Sequence, residues 1–235
     1  MNVLLITQYF PPEIGAAASR WGDYTRILTE KGHKVTVLCE IPNYPQGQYY
    51  QGYNNKWYIK EIKNPNLVII RSAVIINDRA STIKKIIHYL SFMVSGIINV
   101  TKINNYDFVI VSSPPLFTGI IGVFLQKIKS VPFWLDLRDI WPDSAVVLKQ
   151  IKKNWIYFFG KKLESIIYNS AKGFILPVPG FNNYIKDRLI NQEYKPILNL
   201  MNGVSKDFIK IAKAKQIQPD KRFTVIYSGN MGLAQ

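Results

Sequence analysis

The sequence VLLITQYFPPEIGAAASR, at residues 3–20, carries the clearest structural signal near the start of the chain. Residues 3–7 form an apolar run of the kind expected for a strand that is covered on both faces. A proline-containing loop leads to Gly15, and a helix is predicted over residues 16–31, ended by Gly32 in a left-handed cap. A strand that passes through a short loop into a helix is the first unit of a parallel, doubly wound sheet.

The same alternation of short apolar runs and helical stretches continues along the chain. Further strands are predicted over residues 34–39, 57–62, 67–71, 108–112, 133–136 and 174–177, and helices over 81–103, 116–129 and 153–170. Residues 41–56, which are rich in Tyr, Gln, Asn, Gly and Pro, are predicted to form a long irregular loop. The fold class predicted is therefore α/β, with a Rossmann-like, doubly wound and mostly parallel sheet.

The end of the chain predicts a second domain. Residues 1–205 are expected to form the N-terminal domain, residues 206–221 a helix and linker, and residues 222–235 the start of another α/β unit. In this last part a strand over 223–227 leads into Ser-Gly-Asn-Met-Gly, as at an opening βα turn. One strand cannot bury both of its faces without a sheet, so we expect that a second domain has been lost.

The composition is that of a globular chain with a substantial core, because 48% of the 235 residues are hydrophobic and 19% are charged. The 30 Lys and Arg residues against 15 Asp and Glu give a formal net charge of +15. A single cysteine, Cys39, excludes a disulfide framework and a cysteine-based zinc site. The 2 histidines exclude a His-rich metal cluster.

No targeting segment or membrane-spanning segment is predicted. Residues 1–10 lack the basic region and the cleavage site of a signal peptide. The apolar runs are too short to cross a bilayer, since Pro114 and Pro115 interrupt one and polar residues within 88–99 interrupt another. We expect the chain to be cytoplasmic, either free or attached peripherally to the inner face of the plasma membrane.

The richest candidate site is the segment LDLRDIWPDS at residues 135–144, just past the carboxyl end of a predicted central strand. Open α/β sheets bind their ligands at that edge, and grouped carboxylates are costly to desolvate unless they are paired or used. The candidates are Asp136, Arg138, Asp139 and Trp141. The alternative is structural, with Asp136 and Arg138 as an ion pair and Asp143 as a helix N-cap.

The first loop is a second candidate site. Gly15 and the alanines that follow would let a ligand approach the N–H groups of the helix N-terminus, where the helix dipole favours anions. The alternative is that these small residues only pack the helix on the sheet. Gly15 lacks the further glycines of a dinucleotide-binding motif. Arg20, in the second turn, would serve an anion or be solvated.

The helix predicted over 81–103 has an apolar arc that fills about half of its circumference. This arc consists of Ile86, Ile87, Tyr89, Leu90, Met93, Val94, Ile97, Ile98 and Val100. The opposite half consists of Lys84, Lys85, His88, Ser91, Ser95, Asn99 and Lys102. We expect the apolar arc to pack on the sheet. The alternative is that part of the helix lies in a membrane interface, with Phe92 on its otherwise polar face.

Several of these segments together resemble the family 4 glycosyltransferases of the two-domain GT-B fold. Within that family they are most similar to the fucosamine-transferase-like (WbuB) enzymes of bacterial O-antigen and capsule synthesis. The matching segments are QYFPPEIGAAASR (8–20), GHKVTVL (32–38), IPNYPQG (41–47), SSPPLFTGIIG (112–122), LDLRDIWPDSAVVL (135–148) and YSGNMGLAQ (227–235). They follow one another in order from one end of the chain to the other.

The resemblance implies a glycosyltransferase, of which this chain is the N-terminal, acceptor-side half. The family transfers a sugar from a nucleotide diphosphate sugar, here a UDP-N-acetyl amino sugar, with retention of configuration and without a catalytic metal or other cofactor. The acceptor in this subgroup is a sugar on a membrane polyprenyl diphosphate. An anionic membrane surface is therefore an expected partner as well.

The resemblance also assigns roles to residues. Gly15 would let the first loop approach the donor diphosphate and sugar. Asp136, Arg138 and Asp139 would orient acceptor hydroxyls, with Arg20 supporting that wall of the cleft. The phosphate-cradling loop of the donor domain is matched by Gly229, Asn230 and Gly232. Two residues within the matched segments, Glu13 and Trp141, complete the predicted binding residues.

Other functions remain as alternatives. The chain alone is expected to bind acceptor weakly and to turn over nothing, and a truncated remnant without activity is one alternative. The charge of +15 also suits a basic membrane-binding or nucleic-acid-binding module. The sequence contains no recognisable nucleic-acid-binding motif, so we expect no nucleic-acid partner. A nicotinamide oxidoreductase is disfavoured because the glycine motif of that class is missing.

Overall fold

Strands and helices alternate along the computed structural model, which describes residues 1–78, 81–190, 193–204, 206–214, 223, 225 and 226. The strands are β1 (Asn2–Ile6), β2 (Lys34–Glu40), β3 (Tyr58–Asn64), β4 (Leu67–Ser72), β5 (Phe108–Ser113), β6 (Phe133–Leu137), β7 (Gly173–Leu176) and β8 (Ile197–Asn199). The helices are α1 (Ala16–Glu30), α2 (Thr82–Val100), α3 (Leu116–Lys129), α4 (Asp143–Val147), α5 (Trp155–Ser170), α6 (Phe181–Lys186) and α7 (Lys206–Ala214).

The strands form an 8-stranded sheet in the order β3-β4-β2-β1-β5-β6-β7-β8. Every pair is parallel except β3 with β4, which is antiparallel. The order reverses at β1, where Val3 pairs with Val35 of β2 on one side and with Phe108 of β5 on the other. The predicted α/β fold with a mostly parallel sheet is confirmed. The carboxyl ends of β1, β5 and β6 lie at one edge beside this switch point, where such sheets bind ligands.

Successive residues of β1 point to opposite faces of the sheet, and both faces are covered. Leu4 and Ile6 belong to the larger buried cluster, which α2, α3 and α5 cover. Val3 and Leu5 belong to a second cluster on the α1 face, together with Trp21. Burial on both faces explains why the central strands are apolar at nearly every position.

The structure adds three elements to those predicted, namely α4, α6 and β8, and each is short. α7 lies within the segment that was predicted to be a helix and linker. Of the strand predicted over 223–227, only Phe223, Val225 and Ile226 are described; they lie outside the eight strands and are exposed. The predicted loop residues Gly229, Asn230 and Gly232 fall outside the described residues. The division at residue 205 therefore stays a prediction.

The expectation that the apolar arc of α2 packs on the sheet holds for part of the arc: Val100 is buried in the larger cluster, and Met93 and Ile97 pack against it. The buried side of the helix contains the polar residues His88, Ser95 and Asn99, each 0–1% exposed, together with Phe92. The opposite side is apolar and faces outward: Ile83 is 68% exposed, Ile87 43%, Val94 49% and Ile98 41%.

Hydrogen bonds to the segment that follows β4 account for this orientation. Ser95 Oγ donates to the backbone oxygen of Ala73 at 2.6 Å, and Asn99 Nδ2 donates to Ser72 Oγ at 2.9 Å. His88 Nδ1 lies 2.9 Å from the backbone oxygen of Ile75. A backbone carbonyl that is buried beneath a helix needs a donor, and these polar side chains bond there instead of facing water.

Candidate functional site

A pocket of about 500 Å³ lies at the carboxyl edge of the sheet, and we refer to it as the edge pocket. Its walls come from the first half of α2, the loop between β5 and α3, the loop between β6 and α4, and the start of α5. The residues that line it include Asp139, Trp141, Lys85, Tyr89, Leu116 and Ile156. The edge pocket therefore contains two of the residues predicted from the segment 135–144.

Asp136 lies beneath this edge and is fully buried. Its Oδ2 accepts hydrogen bonds from Ser112 Oγ at 2.8 Å and from Trp21 Nε1 at 3.1 Å, and its Oδ1 accepts from Arg20 Nη2 at 3.1 Å. Burial raises the pKa of Asp136, although Arg20 and Arg138 act in the opposite direction. The carboxylate is thus held inside the protein by donors from β5 and α1.

Arg20 is also buried, and it joins α1 to the segment that follows β8. Its Nη1 donates to Asn202 Oδ1 at 2.6 Å, and its Nη2 donates to the backbone oxygen of Leu200 at 2.9 Å. The guanidinium carbon lies 5.0 Å from the centroid of the Tyr24 ring, within cation–π range. The structure therefore gives Arg20 internal partners in β6 and in the segment after β8.

Arg138 connects two loops of the edge. Its backbone N–H donates to the backbone oxygen of Ser113 at 2.9 Å, and its Nη2 donates to that of Pro114 at 3.0 Å. The Nε atom lies 3.5 Å from Asp136 Oδ2, and 14% of the side chain is exposed. Burial lowers the pKa of Arg138 from its usual value. Arg138 is thus placed to fix the β5 and β6 loops relative to each other.

Asp139 and Trp141 line the edge pocket directly. No hydrogen bond reaches the Asp139 carboxylate from any residue that the structure describes. The Trp141 ring packs against Gly160 of α5, where an added Cβ would lie only 2.6 Å from Trp141 Cζ3. Asp139 thus presents a carboxylate that accepts no hydrogen bond from the described residues and interacts with the Arg138 charge. The Trp141 ring is held in place by its contact with α5.

Asp143 is not the N-cap of α4, a position that Pro142 occupies. Its Oδ1 accepts from Tyr157 OH at 2.8 Å, and its Oδ2 accepts from Tyr184 OH at 2.7 Å and from Arg188 Nη2 at 2.8 Å. Although partial burial opposes it, these hydrogen bonds and the nearby Lys161 lower the pKa of Asp143 to about 2. The residue ties α4 to α5 and α6, so its partners are structural.

Glu13 organises the first loop from inside. Its Oε1 accepts from the backbone N–H groups of Asn43 at 3.0 Å and Tyr44 at 2.9 Å, and its Oε2 accepts from that of Phe10 at 3.2 Å. Burial, together with the nearby Glu40 carboxylate, raises its pKa to about 8. The buried side chain therefore holds the loops after β1 and β2 against each other.

Gly15 is the N-cap of α1, in an extended conformation. A Cβ at this position would meet Tyr44 Cε1 at 3.3 Å, so the lack of a side chain allows the Tyr44 ring to lie close to the loop. No side chain caps the N-terminus of α1. Its first N–H groups are therefore placed where the predicted phosphate contact would be, and that contact stays a prediction.

Four buried polar residues near this loop were not singled out as site residues. Gln8 Nε2 donates to Glu40 Oε2 at 2.6 Å, and Asn43 Nδ2 donates to Glu40 Oε1 at 2.7 Å. His88 Nε2 of α2 lies 3.2 Å from Glu40 Oε2. The local sequence around each residue contains no signal for this network, because its members come from three separate segments. Within the described ranges, no group of three or more His, Cys, Asp or Glu residues could hold a metal ion.

Lys85 and Tyr89 of α2 were also not predicted as site residues, yet both line the edge pocket. Their contribution depends on how the helix between β4 and β5 crosses the sheet. That crossing places the first half of α2 beside the carboxyl edge. A topology prediction for the whole sheet would have been needed to find them.

No family model matches the sequence. The chain is 25% identical over 150 residues to the protein described as "Putative colanic acid biosynthesis glycosyl transferase WcaI" of Escherichia coli (strain K12). The alignment covers 63% of this chain and 36% of that protein, so the chain spans little more than a third of the curated relative.

Among solved structures, the chain is similar to sucrose-phosphate synthase from Thermosynechococcus elongatus, with a TM-score of 0.59 and 14% identity. That match covers 84% of this chain and 47% of the synthase. A second structure of the same synthase matches with a TM-score of 0.53 and 12% identity, over 91% of this chain and 95% of the other. The chain is thus related in sequence to a glycosyltransferase, and its sheet has structural neighbours in the GT-B glycosyltransferase fold.

Proposed function

We propose that the chain is the acceptor-side half of a retaining glycosyltransferase that acts in surface polysaccharide synthesis. In this proposal a sugar, from a UDP-N-acetyl amino sugar, is transferred to a sugar on a polyprenyl diphosphate at an anionic membrane surface. The relationship to a protein described as a colanic acid biosynthesis glycosyl transferase supports the transferase class. The sequence motifs, and not the named relative, support the subgroup, the donor and the acceptor in this proposal.

The observation that carries the proposal is the Asp139 carboxylate in the edge pocket, which no residue in the described part of the chain engages by a hydrogen bond. Asp136 and Asp143, by contrast, each accept three or more hydrogen bonds inside the protein. A carboxylate accepts hydrogen bonds strongly from sugar hydroxyls, and the Trp141 ring offers an apolar face to a pyranose. Asp139 would therefore orient the acceptor sugar.

Charge in the edge pocket suits a diphosphate. Lys85 is exposed at the pocket, and no acidic residue in the described ranges forms an ion pair with it. Leu116 and Pro115, at the start of α3, line the same pocket, so the positive end of that helix lies beside it. An acceptor diphosphate would be held there while its sugar reaches Asp139.

The donor would occupy the other side of the cleft. Glycosyl transfer passes through an oxocarbenium-like centre and a departing diphosphate, and fixed dipoles and cations stabilise both. The uncapped N-terminus of α1 at Gly15 would contribute on this side. The remainder would come from a second lobe that starts near Gly229, Asn230 and Gly232. Arg20, Asp136 and Arg138 would position the wall between these sites.

Binding of a synthetic acceptor tests the proposal. The probe is N-acetylglucosaminyl diphosphate with a short alkyl chain, and its binding to the chain is measured by calorimetry and saturation-transfer NMR. We expect weak binding that Asp139→Asn lowers about tenfold, because a charge-assisted hydrogen bond is lost. The matched control Asp187→Asn, at an exposed carboxylate of α6's C-cap, should bind normally. Absence of binding, or equal binding by both variants, would reject Asp139 as the acceptor contact.

Transfer is a separate readout. With UDP-N-acetylglucosamine added, we expect the chain alone to form no product, because the donor contacts in the proposal lie in the second lobe. Product formation by the chain alone would show that one lobe suffices for transfer.

A further inference from the structure

The outward side of α2 carries a continuous apolar stripe. We define the α2 stripe as Ile83, Ile87, Leu90, Val94 and Ile98. At 100° per residue these positions span less than a quarter of the helix circumference, opposite His88 and Asn99 on the buried side. The helix therefore presents aliphatic side chains to solvent along most of its length.

The apolar surface continues beyond the helix. Trp57, which precedes β3, is 50% exposed, and Ile75, which follows β4, is 56% exposed. Both line a groove of about 510 Å³ with Ile87, Leu90 and Val94. Helix and sheet edge thus form one surface at the β3 side of the molecule.

The outward side of α2 is thus apolar, whereas the outward side of an ordinary surface helix is polar. Burying polar side chains requires that each finds a partner, and leaving several aliphatic side chains in water forgoes the free energy of burying them. A contiguous apolar patch of this kind on a soluble protein generally marks a contact with a partner or a membrane. The arrangement is explained if the outward side of α2 meets an apolar medium.

The charge around the patch identifies that medium. Residues 79–106 contain no Asp or Glu, and neither do residues 41–60. Lys60 of β3 pairs with Ile70 across the strands, so it lies on the α2 face of the sheet, where it is exposed. Lys102 follows α2 and lies 5.4 Å from the centroid of the Tyr58 ring. An apolar patch with lysines at its border complements anionic lipid, whose headgroups attract the lysines while the acyl chains receive the aliphatic side chains.

We propose that the α2 stripe, together with Trp57 and Ile75, docks the protein on an anionic lipid surface, with α2 lying in the plane of the membrane. Among the described residues α2 is the one helix that is long and apolar enough to cross a membrane by length and composition, which corrects the expectation that its apolar run is too short. Its buried side is nevertheless hydrogen-bonded to the β4 segment through Ser95 and Asn99, so the helix stays part of the fold. It therefore lies on the membrane and does not span it.

This inference deepens the proposed function. Lys85 and Tyr89 of α2 line the edge pocket, while Ile83 and Ile87 of the same turns belong to the stripe. A lipid-linked diphosphate sugar would therefore reach Asp139 from the membrane on which α2 rests. Docking would fix the height of the pocket above the lipid headgroups.

Vesicle co-sedimentation of the whole chain tests the surface. We expect binding to phosphatidylcholine vesicles that contain about 30% phosphatidylglycerol, and little binding to phosphatidylcholine alone. Raising the salt from about 0.1 M to about 0.5 M should weaken the binding, because the lysines are screened. The double variant Ile87→Ser/Val94→Ser should lose at least about tenfold in vesicle affinity.

The control double variant is Ile190→Ser/Leu198→Ser, at positions 59% and 49% exposed, with Leu198 on β8 at the opposite edge of the sheet. It should bind vesicles like the wild type, and thermal unfolding should show that both variants fold. Equal vesicle binding by the two double variants would overturn the proposal, as would absence of binding by the wild type.

Two further outcomes would also overturn it. One is a dimer in sedimentation velocity that Ile87→Ser/Val94→Ser disperses, with no vesicle binding, since the patch would then cover a second copy. The other is equal binding to duplex DNA, since charge alone would then explain the association. Vesicle binding requires no sugar, so Asp139→Asn should bind vesicles normally. Failure of the lipid-docking proposal can therefore be told apart from failure of the proposed acceptor site.

Discussion

Arg20 of α1 and Asp136 of β6, which are 116 positions apart in the chain, form a buried ion pair with Nη2 and Oδ1 3.1 Å apart. Trp21 and Ser112 donate the other two hydrogen bonds to the carboxylate, and Arg138 Nε lies 3.5 Å from Asp136 Oδ2. Arg20 also holds Asn202, so one guanidinium connects the first helix, a central strand and the segment after β8. The relative positions of these three parts of the chain therefore depend on this pair.

Asp136→Asn should destabilise the chain by about 3 kcal/mol, because it leaves the buried Arg20 cation without its counter-charge. Urea unfolding followed by circular dichroism measures the change. In Arg20→Met/Asp136→Asn the charge is removed from both sides, so the double variant should lose less than the sum of the single variants by about 1 kcal/mol or more. Strict additivity would show that the two side chains are not energetically coupled.

The fold could be predicted from the sequence where a strand is buried on both faces and is therefore apolar at nearly every position. β1 and β5 are central strands that are covered on both faces, so their apolar runs indicate strands without knowledge of their neighbours. β8 is a three-residue edge strand in which two residues are exposed, so it has no such run. Its place depends on pairing with β7, which only the assembled sheet provides.

The site was predictable as a segment but not residue by residue. Residues 135–144 do meet the carboxyl edge, and Asp139 and Trp141 line its pocket. Asp136 and Asp143, however, accept hydrogen bonds from Arg20 and Arg188, respectively, and these arginines are far away in the sequence. No local pattern distinguishes a carboxylate with distant partners from one without them.

The orientation of α2 could not be predicted from its hydrophobic periodicity. Its hydrophobic arc is real, but amphipathicity states only that the two sides differ, not which side faces the sheet. The donors on Ser95 and Asn99 are used by Ala73 and Ser72, and this pairing decided the orientation. Ile87, Val94 and Ile98 of the predicted arc therefore face outward, whereas Met93, Ile97 and Val100 reach the core.

Glu13 should give the stability of the chain a recognisable pH dependence. Burial raises its pKa to about 8, above the value of about 4.5 in an unfolded chain, so between these values the native state binds the extra proton. Stability should therefore fall as pH rises from about 5 to 8, with a contribution of at most about 1.4 kcal/mol per pH unit from this group.

The variant Glu13→Gln cannot titrate, which isolates the effect. The difference in unfolding free energy between wild type and Glu13→Gln should shrink as the pH rises through this range, and urea titrations at several pH values measure it. A difference that stays constant with pH would contradict the raised pKa of Glu13.

Lys85 should contribute to binding of the acceptor diphosphate. Lys85→Gln is expected to weaken binding of N-acetylglucosaminyl diphosphate about fivefold and to flatten its salt dependence, because one charge-assisted contact is removed. Calorimetry at two salt concentrations measures both effects. Lys127→Gln, at an exposed lysine of α3, is the matched control and should change neither. Equal behaviour of the two variants would remove Lys85 from the acceptor site.

Gly160 sets the position of the Trp141 ring in the edge pocket, and Gly160→Ala tests this packing. The added Cβ would lie 2.6 Å from Trp141 Cζ3 and 3.3 Å from Pro142 Cγ, so the ring must move. Alanine is favoured over glycine within a helix by about 1 kcal/mol, whereas overpacking costs about 1–3 kcal/mol. We expect a net loss of about 1 kcal/mol in the free energy of unfolding, measured in urea, together with weaker binding of the acceptor probe as the pocket wall shifts.

At Gly180 an added Cβ meets nothing within 4 Å, so Gly180→Ala should leave the binding unchanged. If Gly160→Ala were instead more stable and bound the probe normally, the Trp141 ring would not be a fixed wall, and stacking of the acceptor sugar against it would lose its structural basis.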